Sequence, residues 1–83
     1  MDFADRVRKA VGNIPEGKTL TYGEVARLVG SPGAARAVGN VLKNNYDPGV
    51  PCHRVVRQDG VGGYNRGQKE KIRKLTEEGV LPS

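Results

Sequence analysis

Two short helical segments separated by one glycine turn constrain this chain more than anything else in it. Thr21-Tyr22-Gly23-Glu24 has the form of a capping box, a threonine N-cap with a glutamate three residues on. Val25, Ala26, Leu28 and Val29 then fill the buried side of a short helix that stops at Gly30. Ser31-Pro32 reads as a second cap with proline at the first helical position, and Ala34, Ala35, Ala37, Val38, Val41 and Leu42 carry that helix to about Lys43. Such a pair is a helix-turn-helix unit. The second helix is rich in small residues, Gly33, Ala34, Ala35, Ala37 and Gly39, so its backbone can approach another surface closely. Arg36 is the one long charged side chain among them. A solvated helix face is its ordinary reading, and a contact to a partner is the alternative.

Around this unit the chain is punctuated by turns. Asp2 caps a first helix with Phe3, Val7, Ala10, Val11 and Ile14 along one face, and Ile14-Pro15-Glu16-Gly17 turns the chain. Lys18-Thr19-Leu20 is a short extended piece. Asn44 to Gly49 is a polar loop, Val50 to Arg57 a strand, and Gln58-Asp59-Gly60 a turn. Val61 to Gly67 is a glycine-rich loop without the Gly-Lys-Ser/Thr ending of a phosphate-binding loop. Gln68 to Glu78 is a last helix, with Ile72 and Leu75 inward, Lys69, Lys71, Arg73 and Lys74 on a basic face, and Gly79 as its stop. The expected fold is α+β: one small winged-helix-like domain over 1–83, mostly helical with short strands.

Fourteen Lys/Arg against nine Asp/Glu give a net charge of +5. For so small a domain this favours a polyanionic partner, nucleic acid before membrane, and composition alone weighs that about evenly against a merely soluble basic surface. No run is long and apolar enough to span a bilayer, and no signal-peptide pattern occurs. The single cysteine cannot form an internal disulfide, and with the single histidine it cannot build a zinc site. The expectation is a soluble chain in a reducing compartment, cytoplasmic or associated with the nucleoid or nucleus.

That cysteine and histidine are adjacent, in Val50-Pro51-Cys52-His53-Arg54-Val55-Val56. A thiolate is a soft nucleophile and an imidazole in reach can take its proton. Neighbours in an extended chain point to opposite faces, so a bridging water or a local turn is needed to couple them. The plain alternative is a buried structural cysteine beside a surface histidine.

Taken together, Ile14-Pro15-x-Gly17, Thr21-Tyr22-Gly23-Glu24-Val25-Ala26, Ala34-Ala35-Arg36-Ala37-Val38-Gly39, Asn45, Pro51-Cys52-His53-Arg54-Val55, Gly62-Gly63-Tyr64 and Glu78-Gly79 resemble the C-terminal, active-site domain of the O6-alkylguanine-DNA alkyltransferases. The resemblance implies a DNA-repair protein that extrudes an O6-alkylated guanine from duplex DNA and transfers its alkyl group irreversibly to Cys52, once per molecule and without a cofactor or metal. It also implies that His53 is the base, oriented by Glu78. Tyr22, Val55, Val56, Tyr64 and Asn65 would contact the base. Arg36 would enter the stack where the base left, with Ala34, Ala35 and Gly39 close to the minor groove. Asn45, or Asn44, would be the hinge asparagine. Duplex DNA carrying the lesion is the implied partner, a monomer is expected, and other repair factors are further partners this reading allows.

The chain departs from the family pattern in three places, one of them a slightly short connection from Cys52 to Tyr64. Phe3 begins almost at the first helix of that domain, so the family's N-terminal domain is not seen. Asn65-Arg66 follow Tyr64 where a small residue is usual. Two other classes compete with the transferase. One is a non-catalytic lesion sensor like the alkyltransferase-like proteins, which typically replace the cysteine. The other is a plain winged-helix DNA binder in which Cys52 is only core.

Overall fold

In the computed structural model, residues 1–82 are described. Helix α1, Phe3–Gly12, starts where Asp2 Oδ1 accepts from Asp5 N at 2.8 Å, and it buries Val7 and Val11. A two-residue strand β1, Leu20–Thr21, leads directly into α2, Tyr22–Leu28. Here the capping box is complete: Glu24 N donates to Thr21 Oγ1 at 3.0 Å, and Thr21 N donates to Glu24 Oε1 at 2.8 Å. Gly30, at φ +79°, closes the helix, with Ser31 N reaching back to Ala26 O at 2.9 Å.

The next helix, α3, spans Ala35–Lys43 and does not begin at Pro32. Ser31 O accepts from Ala34 N at 3.0 Å while Gly33 sits at φ +89°, so Pro32-Gly33 occupy the corner of a turn. A glycine at positive φ after proline is turn chemistry, and it outcompetes the helix start. Leu28 is corrected too: it is 66% exposed, because the buried stripe of α2 runs through Val25, Ala26 and Val29, and Leu28 lies a quarter-turn or more away.

The expected strand from Val50 to Arg57 is mostly a different structure. Cys52 N donates to Val50 O at 2.8 Å across Pro51, whose φ −78° and ψ 69° are those of a tight three-residue turn. Cys52–Arg54 then form a single 3₁₀ turn, and only Val55–Val56 extend, as β2. Strand β2 pairs in parallel with β1, Leu20 opposite Val55 and Thr21 opposite Val56. A lone antiparallel bridge, Arg57 to Gly60, marks the start of the glycine loop. Helix α4, Gln68–Glu77, completes the fold.

The core is aliphatic and modest. Val7, Val11, Ile14, Val25, Ala26, Val29, Val38, Leu42 and Val55 are buried together with Cys52, while Phe3, Tyr22 and Tyr64 pack against it half-buried. On α4 two expected positions exchange while Leu75 stays inward: Lys71 is fully buried and Ile72 is 41% exposed. Its inward stripe reads Lys71, Leu75, Glu78, spaced four and three residues apart, and Ile72 is a quarter-turn off it.

Candidate active site and nucleic-acid interface

The Pro51 turn and the 3₁₀ turn put Cys52 and His53 inside the molecule, 6% and 7% exposed. Cys52 opens on a cavity of about 330 Å³, within the range of small-molecule sites. Tyr22 and Gly39 form one side, Leu42 and Lys43 of the last turn of α3 another, and Gly63, Tyr64 and Asn65 of the glycine loop a third. The Gly39 Cα faces the Tyr22 ring, so a β-carbon there would stand 4.0 Å from Tyr22 Cε1 and narrow the cavity.

Behind Cys52, His53 Nε2 lies 2.8 Å from Glu78 Oε2. Glu78 sits at the C-terminal cap of α4, where a helix end disfavours negative charge. Arg54 compensates. Its Nε and Nη2 donate to Glu78 Oε1 and Oε2 at 3.0 and 2.8 Å, and its Nη1 donates to Ile14 O at 2.8 Å. The guanidinium, then the imidazole, hold the Glu78 carboxyl down to about 2 against desolvation. An ionised carboxylate can only accept, so His53 Nε2 carries the shared proton and Nδ1 is left as the basic nitrogen. The Tyr64 ring meets His53 edge-on, centroids 6.4 Å apart.

Glu78 therefore links acidity to stability. Its carboxyl is lowered from 4.5 to about 2, so its contribution is complete above about pH 4.5 and is lost as pH falls toward 2, on the order of 3 kcal/mol at most. Urea-unfolding midpoints measured from pH 5 to 2.5 should fall less steeply in Glu78→Gln than in the parent chain. Asp5, Glu24 and Glu70 are also lowered, and they titrate in both proteins, so the difference isolates Glu78. Parallel slopes would remove Glu78 from this linkage.

Lys71 is the residue that sequence reasoning misplaced. Its ammonium donates to Val55 O at 2.7 Å and Gly63 O at 3.0 Å, and lies 5.7 Å from the centroid of the Tyr22 ring. Burial pushes it down to about 8, and Cys52 opposes that shift. Burial likewise raises the Tyr22 phenol, with Cys52 as the second cause. The cation braces two segments of the site, β2 and the glycine loop, beside the thiol. Only the inward spacing Lys71–Leu75–Glu78 hinted at it.

The structure brings Cys52, His53, Glu78, Tyr22, Tyr64 and Gly39 together. Asn45 is buried, and its Nδ2 donates to Val50 O at 3.3 Å, whereas Asn44 donates to Asn40 O within its own helix end. Val55 and Val56 pair with β1, and the Val55 carbonyl accepts from Lys71, which leaves its second lone pair free. Asn65 lines the cavity while its amide nitrogen lies against the Leu42, Lys43 and Asn45 carbonyls at the end of α3. Arg36, Asn40 and Lys43 form an exposed stripe on α3, with Ala34 and Ala35 half-buried at its start.

A helix-turn-helix domain with a buried Cys-His-Glu constellation behind a cavity is thus the class that the fold and site define. Residues 2–80 match the family model for the 6-O-methylguanine DNA methyltransferase, DNA binding domain, and the chain belongs to that family. Among curated relatives, the methylated-DNA–protein-cysteine methyltransferase of Methanothermobacter thermautotrophicus is 48% identical over 95% of this chain and 45% of its own length. A bifunctional methyltransferase/endonuclease of Picrophilus torridus is 42% identical over 96% of this chain and 28% of its own. The chain spans less than half the length of these relatives. Among solved structures, Mycobacterium tuberculosis OGT in complex with DNA superposes with TM-score 0.90 at 44% identity, covering 95% of this chain and 49% of that one. Atl1 of S. pombe, in complex with damaged DNA containing O6-carboxymethylguanine, gives 0.85 at 41% identity, covering 95% of this chain and 77% of that one.

Proposed function

We propose that this domain is a single-turnover DNA alkyltransferase, corresponding to the C-terminal active-site domain of its longer relatives, and that it acts on O6-alkylguanine flipped from duplex DNA into the Cys52 cavity. The observation that carries this reading is the Cys52 thiol at the cavity wall, with His53 held at 2.8 Å by an ionised Glu78 behind it. His53 Nδ1 takes the thiol proton through a bridging water. The thiolate attacks the alkyl carbon, the S–C bond forms as the C–O6 bond breaks, and the released guanine picks up a proton. Lys71 supplies a buried positive charge beside the sulfur. The thioether has no easy leaving path, so each molecule reacts once. No membrane-crossing helix is present among the described residues, and the basic surface suits a duplex partner.

Intact-mass measurement after incubation with an O6-methylguanine duplex tests the reading. One added methyl per chain, mapped to Cys52, is expected. Binding of the lesion without any mass gain would favour the sensor reading, which the likeness to Atl1 keeps in view.

A second expected result concerns Arg36. If it fills the gap left by the flipped base, Arg36→Ala slows transfer from duplex far more than from free O6-benzylguanine, which needs no flipping. Lys69→Ala should weaken duplex binding and shallow its log–log salt dependence by about one unit. Equal losses on duplex and free base would make Arg36 a support of the fold.

A further inference from the structure

The glycine-loop wall of the cavity is fastened to the end of the DNA-facing helix by one side chain. Asn65 Nδ2 lies 3.4 Å from Leu42 O, 3.2 Å from Lys43 O and 2.5 Å from Asn45 O. The Leu42 and Lys43 carbonyls end α3 and the Asn45 carbonyl lies two residues beyond it, where a helix leaves acceptors short of intrahelical donors; Leu42 O also accepts from Asn45 N at 3.0 Å. Turned the other way, the amide would set its oxygen against three carbonyl oxygens, so the nitrogen must face them. The oxygen Oδ1 is buried without a hydrogen-bond partner among the described residues. What places this side chain is therefore the helix end. Arg66 adds a second stitch, donating from Nη2 to Tyr46 O at 3.0 Å. Asn45 extends the connection in the other direction, through its bond to Val50 O, two residues before Cys52.

We propose that Asn65 is a positioning residue: it caps α3 from outside the helix and so holds the Arg36-bearing surface in register with the cavity and Cys52. The inference rests on the base-flipping reading above, because register matters when a base must leave the stack at Arg36 and arrive at Cys52. It also assigns a role to the asparagine that stands where relatives were expected to carry a small residue. The helix end gains a donor, and the cavity forgoes one.

The test uses the 83-residue chain and two substrates. With O6-methylguanine duplex, Asn65→Ala should lower the transfer rate about tenfold, and its loss with free O6-benzylguanine should be several-fold smaller than that. Asn65→Asp keeps the shape but sets a carboxylate against the carbonyls, so its duplex loss should be larger still. Because Arg36 and Asn65 act through the same register, Arg36→Ala combined with Asn65→Ala should lose less than the product of the two single losses. Equal losses on both substrates, or a strictly multiplicative double variant, would overturn the proposal in favour of direct base contact or simple destabilisation. Hydrogen exchange gives an arm that needs no activity. The Asn65 side-chain amide should exchange slowly in the parent, and the Asn45 backbone amide, bonded to the same Leu42 carbonyl, should exchange faster in Asn65→Ala. Unchanged Asn45 exchange, or a freely exchanging Asn65 amide in the parent, sinks the cap. If the parent transfers nothing, the alkyltransferase reading falls while the exchange arm still decides the cap. Should Asn65→Ala fail to fold, Asn65→Ser and the parent's own side-chain exchange decide it.

Discussion

Cys52→Ala is expected to gain no alkyl group from an O6-methylguanine duplex while binding that duplex as the parent does. The thiol lines the cavity and packs in the core, whereas the exposed stripe of α3 is Arg36, Asn40 and Lys43, so the proposed chemistry and the proposed groove contact lie on different side chains. Alanine is the cleaner probe, since serine would bury a hydroxyl among aliphatic side chains. Losing the sulfur should cost about 1 kcal/mol of stability, small beside the loss of the nucleophile. Intact mass reads the transfer and fluorescence anisotropy reads the binding. Alkyl gain in Cys52→Ala at the parent's rate would mean that another atom is the acceptor.

Lys71→Met should have the next largest effect, slowing transfer from free O6-benzylguanine by about two orders of magnitude, the lower end of the range for losing one preorganised donor. Two effects oppose each other in its stability. The parent holds an ammonium in the interior, lowered from 10.5 to about 8, a burden on the order of 3 kcal/mol at neutral pH that methionine removes. Methionine also leaves the Val55 carbonyl without this donor, about 1–3 kcal/mol if it stays buried, while the exposed Gly63 carbonyl keeps the Tyr22 hydroxyl at 3.5 Å. The two nearly cancel, so thermal stability should change little and the rate should change much. The pH dependence separates the roles. As pH rises from about 8 toward 10.5 the folded parent sheds this proton before the unfolded chain does, so its stability rises over that window. Lys71→Met should lack that rise. A methionine variant that transfers at the parent's rate would reduce Lys71 to a brace.

Much of the fold could be read from local chemistry, because the helix caps are side-chain hydrogen bonds written in the sequence. Asp2 and Thr21-x-x-Glu24 do in space what their spacing announces. The failures share a cause: charge and backbone turns overruled the apolar pattern. Ser31-Pro32 looked like a helix start until Gly33 took positive φ. The Val50–Val56 run looked like a strand until Pro51 bent it. Helix α4 looked as though Ile72 faced inward, because hydrophobic periodicity cannot register a stripe whose members are a lysine and a glutamate. The pairing of His53 with Glu78 was expected from family resemblance and is present as geometry. The Arg54 clamp on Glu78 and the Lys71 brace were not foreseen, since both depend on which backbone carbonyls and carboxylates a three-dimensional fold leaves facing a buried cation.

The only thiol of this chain is also one of its core residues, 6% exposed. Its labelling by a bulky neutral thiol reagent is therefore a clock for the opening of the fold, since such a reagent must wait for the interior to part. A reagent shaped like an alkylated purine can enter through the cavity with the molecule closed. The ratio of the two rates, followed through a urea series, would report how far access to the sulfur is a property of substrate shape and how far of conformational breathing.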